Sequence, residues 1–168
     1  MQRRTLLKLG MTSAALLLVA GGAAVLLQPG FVRGVLTPTG REVFTAVAKG
    51  VLDKTLPADE PARQTAINGL LGRIDILISA LPPHAQSELS QLLSLLGSAA
   101  GRRTLAGLST PWPESGIADV QGALQGMRLS SLALRQQAYA ALHDITAGAY
   151  FSDASSWSVL DYPGPVTI

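Results

Sequence analysis

The chain has 168 residues and no cysteine, which excludes disulfides, covalently attached haem, iron–sulfur clusters and thiolate zinc sites. Four of its 13 basic residues (Arg3, Arg4, Lys8 and Arg33) lie in or just after an N-terminal apolar segment. The remainder carries nine basic against 11 acidic residues, a net charge of −2, so nucleic-acid binding has no electrostatic support.

The N-terminus has the layout of an export signal. Its characteristic positions are Arg3, Arg4, Leu6, Leu7 and Lys8. A Gly/Ala-rich apolar run from Gly10 to Leu27 follows them directly. A basic segment with two adjacent arginines before a weakly hydrophobic run is typical of the twin-arginine signal. We therefore expect transfer to the periplasm through the Tat translocon, which moves folded proteins; an ordinary basic start before a membrane anchor is the alternative.

The apolar run leaves two fates open for this leader. It is 18 residues long, at the lower edge of what spans a bilayer. Gly22-Ala23-Ala24 offers a small-residue cleavage site, but apolar residues continue after it. Cleavage and retention as an inner-membrane anchor both fit. Residues 1–36 are assigned to the signal, a possible anchor and a linker, with residues 34–40 expected to have a linker conformation.

Proline and capping signals delimit the first three predicted helices. Thr37 and Pro38 supply an N-cap and an N1 proline for a helix reaching about Thr55. Negative charge at 59–60 favours the start of a second helix, and Pro82-Pro83 ends it. Their apolar residues, and those of a third helix, recur at helical spacing. These are Phe44, Val47, Val51 and Leu52, then Ile67, Leu70, Leu71, Ile74, Leu77, Ile78 and Leu81, and finally Leu89, Leu92, Leu93 and Leu96.

Two further helices are predicted in the second half of the chain, over 117–127 and 130–150. The apolar face of the last helix is expected to contain Leu132, Tyr139, Leu142, Ile145 and Ala149. Arg102-Arg103 lies in a small-residue-rich segment and is expected in a solvated loop. No segment shows the period-two alternation of a sheet. The sequence therefore predicts an all-α domain over 37–150, an irregular bundle of about five helices.

The C-terminal residues have no helical period but are rich in aromatic side chains. Five of the eight aromatic residues lie in the last thirty: Tyr139, Tyr150, Phe151, Trp157 and Tyr162. A disordered tail is normally poor in aromatic residues, because disorder reflects too little apolar surface to bury. We therefore expect residues 151–168 to be an extended tail that lies on this bundle or on a partner, where aromatic anchors carry much of the binding energy.

Few residues suggest chemistry. The two histidines, His84 and His143, lack the spacing of metal ligands, and we identify no catalytic, cofactor-binding or metal site. Tyr139 precedes His143 by one helical turn, so a stand-alone exported enzyme with His143 as its base is an alternative. Arg128 and Arg135 fall seven residues apart, on nearly the same side of the last helix junction. They form either a solvated face or a docking face for an acidic partner.

The tail carries a more specific pattern. It consists of Tyr150, Asp153, Trp157 and the run 162–165, Tyr-Pro-Gly-Pro. This pattern resembles the gluconate 2-dehydrogenase subunit 3 family, the small (gamma) subunits of flavin-dependent gluconate and glucose dehydrogenases. Members typically end in Tyr-x-x-Asp, a Trp and then Gly-Tyr-Pro-Gly-Pro, and Asp161 stands here where glycine is common. The Leu-Thr-Pro helix start at 36–38 and the Leu-Pro break at 81–82 also fit, so the resemblance covers essentially all of the chain after the leader.

The resemblance implies a subunit with no cofactor and no catalytic activity of its own. Such a subunit carries the export signal for a larger flavoprotein of the glucose–methanol–choline type and is exported with it. FAD would lie in that large subunit, and a multihaem cytochrome c often completes the complex. A scaffold that keeps its leader and holds the dehydrogenase at the inner membrane is a further alternative. The candidate partner-binding residues are Arg128, Tyr150, Trp157, Tyr162, Pro163, Gly164 and Pro165.

Overall fold

The computed structural model describes residues 28–164. The leader, with Arg3, Arg4, Leu6, Leu7 and Lys8, and the candidate Pro165 lie outside them. The elements are β1 (Phe31–Val32), β2 (Val35–Leu36), α1 (Pro38–Val51), α2 (Glu60–Ser79), α3 (Pro83–Gly97), α4 (Ala99–Gly101), a π-helical turn (Arg102–Ala106), a 3-10 turn (Trp112–Glu114), α5 (Ile117–Arg128), α6 (Ala133–Phe151) and a 3-10 helix (Ala154–Leu160). The predicted all-α bundle is confirmed.

The starts of the first three helices agree with the capping and proline signals in the sequence. The Thr37 hydroxyl accepts a 3.4 Å hydrogen bond from the Gly40 amide at the start of α1. The Asp59 carboxylate accepts one from the Ala62 amide at the start of α2. Pro83 is the first residue of α3. The first helix ends at Val51 rather than near residue 55, because the chain then turns and the amides of residues 55 and 56 both bond to the carbonyl of residue 52.

Helix α1 lies at the centre of the bundle, where it contacts α2, α3, α5 and α6. Its residues Val43, Phe44 and Val47 are fully buried. The predicted apolar stripes of α2 and α3 pack around it, and burial of each such side chain stabilises the fold by about 1.5–3 kcal/mol. Their buried members are Ile67, Leu70, Leu71, Ile74 and Ile78 of α2, and Leu89, Leu92, Leu93 and Leu96 of α3.

The prediction of a linker after the leader is wrong. Strands β1 and β2 pair as an antiparallel hairpin whose turn residues, Arg33 and Gly34, both have positive φ (52° and 85°). Phe31 and Leu36 are buried in the core, and the Leu36 amide donates to the Asp75 carboxylate at 2.7 Å. Strands of two residues are too short to show an alternating pattern. The folded domain therefore begins before residue 37.

Two other expectations are corrected between α3 and α6. Arg102 is only 8% exposed, so it does not lie in a solvated loop; its segment is a π-helical turn that ends at Gly107 in the left-handed conformation. Helix α6 begins at residue 133, and Leu132 at its N-cap is 63% exposed rather than packed. The cause is a turn at Ser130, whose hydroxyl accepts from the Leu132 amide.

None of the helices within residues 28–164 is long and apolar enough to cross a bilayer.

Candidate partner-binding site

Arg73 of α2 fastens the beginning of the tail to the bundle. Its Nε donates to the carbonyl of Ala149 at 2.8 Å, and its Nη1 lies 2.8 Å from Oδ2 of Asp153. The last carbonyls of a helix have no partner within the helix, so this guanidinium caps α6 and holds the residue that starts the tail. The contacts join residues 76 and 80 positions apart in sequence.

Asp153 also starts the 3-10 helix of the tail. Its Oδ1 accepts hydrogen bonds from the amide and the hydroxyl of Ser155, at 3.0 and 2.9 Å. The Ser155 amide, then its hydroxyl, and less strongly the positive charge of Arg73, lower the pKa of Asp153, while desolvation opposes them. In place of a fully extended course, residues Ala154–Leu160 therefore form a 3-10 helix.

The aromatic residues of the tail form a small cluster. Trp157 is half-buried, and its Nε1 donates to the carbonyl of Phe151 at 2.9 Å. The ring of Tyr162 packs edge-on against that of Trp157, with centroids 5.3 Å apart. Gly164 closes the cluster: it has φ 100°, and a Cβ there would lie 3.3 Å from the indole. Tyr162 remains 47% exposed and Pro163 is exposed, so these two of the predicted binding residues lie at the surface of the tail.

Tyr150 differs from the other candidate residues of the tail. It is 7% exposed, packs edge-on against Phe151, and its hydroxyl donates to the carbonyl of Thr55 at 2.9 Å. Tyr150 therefore lies in the core of its own domain, where it joins the end of α6 to the turn after α1. From this position it supports the start of the tail.

The structure separates the roles of Arg128 and Arg135. Arg128 is exposed at the end of α5, with its Nε bonded to the side chain of Gln125. Arg135 is half-buried, and its Nε donates to the carbonyl of Leu105 at 2.7 Å, which ties α6 to the π-helical turn. Beside Arg128, Leu129 is 68% exposed and Leu132 63%. Sequence reasoning missed this apolar patch, because it placed Leu132 on the packed face.

The histidines lie on the surface. The rings of Tyr139 and His143 are close, but they stack at 5.3 Å, and Nδ1 of His143 is 3.0 Å from the carboxylate of Asp144. His84 is exposed at the start of α3. Neither lines the shallow cavity of about 210 Å³ between α1 and Trp112. Within residues 28–164, no group of three or more acidic or histidine side chains is arranged to hold a metal ion.

On two surfaces, exposed apolar side chains lie beside polar groups that are hydrogen-bonded within the domain. One is the tail around Tyr162, and the other is the α5–α6 junction at Leu129 and Leu132. No family model matches this chain, and neither a curated protein nor a solved structure matches it. Any binding role of these surfaces is therefore a proposal, which rests on their chemistry and on the leader.

Proposed function

We propose that this chain is a non-catalytic accessory subunit that binds, stabilises and exports a flavin-dependent sugar or alcohol dehydrogenase of the glucose–methanol–choline type. The twin-arginine pattern at Arg3 and Arg4 carries the proposal. Export in the folded state suits a protein that holds a cofactor, and this sequence contains no cofactor-binding motif of its own. FAD bound in the large subunit would explain why the complex is exported in the folded state. The small subunit accompanies the large subunit through the Tat translocon into the periplasm.

The geometry of the tail supports a binding role. Tyr162 and Pro163 are exposed on a segment that Arg73, Asp153 and Trp157 hold in place. A surface ordered before binding loses less conformational entropy in the complex than a disordered tail does. Aromatic side chains in such positions are frequent hot spots of protein interfaces. A multihaem cytochrome c completes the proposed complex, and a retained leader would hold the complex at the inner membrane.

Co-purification with the flavoprotein tests this function. The tagged full chain is expressed with its genomic neighbours, and retained flavin is measured by absorbance. Tyr162→Ala removes the exposed ring, and Trp157→Ala with Tyr162→Ala removes the whole cluster. We expect the single variant to retain less flavoprotein and the double variant least, with helical content unchanged, because no residue of the α1–α6 core is altered.

Val35→Ala is the matched control, since Val35 on the hairpin is 48% exposed and Tyr162 47%. It should retain as much flavoprotein as the unaltered chain. Equal retention by the double variant and the unaltered chain would count against a role of the tail in binding.

A further inference from the structure

The arginines of residues 28–164 divide by position into paired and unpaired groups. The helix arginines of the first half each form an ion pair: Arg41 with Asp75, Arg63 with Glu60 and Arg73 with Asp153, at 2.8–3.0 Å. The four arginines between 102 and 135 have no carboxylate within 4.0 Å among the described residues. The sequence from 120 to 143 contains no acidic residue. Residues 120–143 therefore carry a net charge of +2, from Arg128 and Arg135.

The α5–α6 junction adds apolar surface to this charge. Leu129 and Leu132 point outward above Met127, which is fully buried. Their positions are fixed by Ser130, whose hydroxyl accepts from the Leu132 amide at 3.2 Å and whose carbonyl accepts from Nε2 of Gln136 at 2.7 Å. Two large aliphatic side chains on a hydrogen-bonded turn form a preorganised contact point.

The outer face of α5 beside these leucines contains two exposed glycines, Gly122 and Gly126. A Cβ at Gly122 would meet no atom within 4 Å, so packing inside the domain does not require glycine there. A glycine within a helix costs about 1 kcal/mol relative to alanine. At Gly126 the nearest atom to a built Cβ is Nη2 of Arg135, at 3.6 Å, so this guanidinium lies along the same face. Another chain can therefore approach the α5 backbone closely at Gly122, whereas the Arg135 guanidinium covers it at Gly126.

We propose that the junction surface, defined as Gly122, Gly126, Arg128, Leu129, Leu132 and Arg135, docks an acidic patch with an apolar centre on the large flavoprotein subunit. The inference rests on the proposed function and adds a second contact, separate from the tail. Arginine forks pair with carboxylates in a bidentate manner, which suits a protein surface rich in Asp and Glu. Exposed apolar residues with an arginine beside them, as Leu129 has in Arg128, are also typical of interfaces between proteins.

The test measures how much flavoprotein the tagged full chain retains at low and at high NaCl. Arg128→Glu should lower retention about fivefold at low salt, because it reverses a charge at the rim. Arg128→Lys keeps the charge but loses the bidentate fork, so it should lower retention less than Arg128→Glu does. Leu129→Ser with Leu132→Ser should lower retention about tenfold at both salt concentrations. Matched controls are Arg33→Glu, where Arg33 is exposed and has no ion pair among residues 28–164, and Ile76→Ser on α2, where Ile76 is 72% exposed.

The outcomes separate this inference from the proposed function. If the unaltered chain retains no flavoprotein, the proposed function fails and this inference with it. If it retains flavoprotein and the junction variants do so equally, only the junction surface is overturned. Loss of a homodimer in the leucine variant, with flavoprotein retention unchanged, would overturn it too by assigning the surface to a second copy of this chain. Circular dichroism confirms that each variant is folded.

Discussion

The guanidinium of Arg73 lies 2.8 Å from the carboxylate of Asp153, at the point where α6 ends and the tail begins. Arg73 belongs to the rigid α2, next to the fully buried Ile74. The same side chain caps α6 through the carbonyl of Ala149. One residue therefore sets the direction in which the tail leaves the bundle, and with it the position of Trp157 and Tyr162.

Replacing Arg73 should loosen the tail and leave the core intact. Arg73→Met keeps an unbranched apolar stem but removes both contacts of the guanidinium, whereas Arg73→Lys keeps the charge. We expect faster hydrogen exchange at the amides of Ser156 and Tyr162, which bond to carbonyls within the tail, and a smaller effect in the lysine variant. Unchanged exchange at both amides in Arg73→Met would show that the tail is held by other contacts.

The ionisation of Asp153 should make the tail sensitive to acid. The pKa of Asp153 is lowered in the folded chain, so its ionised carboxylate stabilises the folded tail. This stabilisation is fully present above the ordinary pKa of about 3.9 and is lost as pH falls through the lower pKa of the folded chain. A carboxyl titration by NMR measures the midpoint. Ser155→Ala should raise the midpoint more than Arg73→Met does, since the Ser155 hydroxyl contributes more than the arginine charge. A midpoint at or above the ordinary value in the unaltered chain would show that the contacts with Ser155 and Arg73 do not lower the pKa of Asp153.

The backbone at Asp161 should prefer glycine. Asp161 has φ 50°, in the left-handed region that costs other residues about 1–2 kcal/mol. Asp161→Gly should therefore slow exchange at the Tyr162 amide or leave it unchanged, whereas β-branched Asp161→Val should accelerate it several-fold. Equal protection in the valine variant would mean that this conformation is not required.

The hydroxyl of Tyr150 should matter for stability rather than for binding. Tyr150→Phe keeps the buried ring but leaves the Thr55 carbonyl without this donor, which should lower the free energy of unfolding by about 1 kcal/mol. Urea denaturation measures this change. Flavoprotein retention should stay at the level of the unaltered chain, and a selective loss of retention at unchanged stability would place Tyr150 in the interface after all.

Local signals made the main helices predictable from sequence. Thr37 and Pro38 mark the start of α1, and Pro82-Pro83 separates α2 from α3, because proline geometry acts within one or two residues. The leucine spacing of α3 likewise determined which of its faces is buried. These features depend on residues that are close in sequence, so a local sequence pattern is enough to predict them.

The remaining features depend on contacts distant in sequence. The burial of Arg102 follows from the π-helical turn in which it lies, and charge alone predicted the opposite. The capping of α6 by Arg73 joins residues 76 positions apart, and no local pattern marks such a pair. At Leu132 the spacing fitted a packed face, but the Ser130 turn delayed the helix and turned that side chain outward.

The most direct test of the carrier role is the visible spectrum of protein recovered from the periplasm. The full chain is tagged, expressed with its genomic neighbours, and compared with a variant in which Arg3 and Arg4 are both lysine. We expect a flavin spectrum from a co-purifying large subunit in the first preparation and its loss from the periplasm in the second. A colourless, folded, monomeric protein in the first preparation would contradict the account and leave an intrinsic activity at His143 as the alternative.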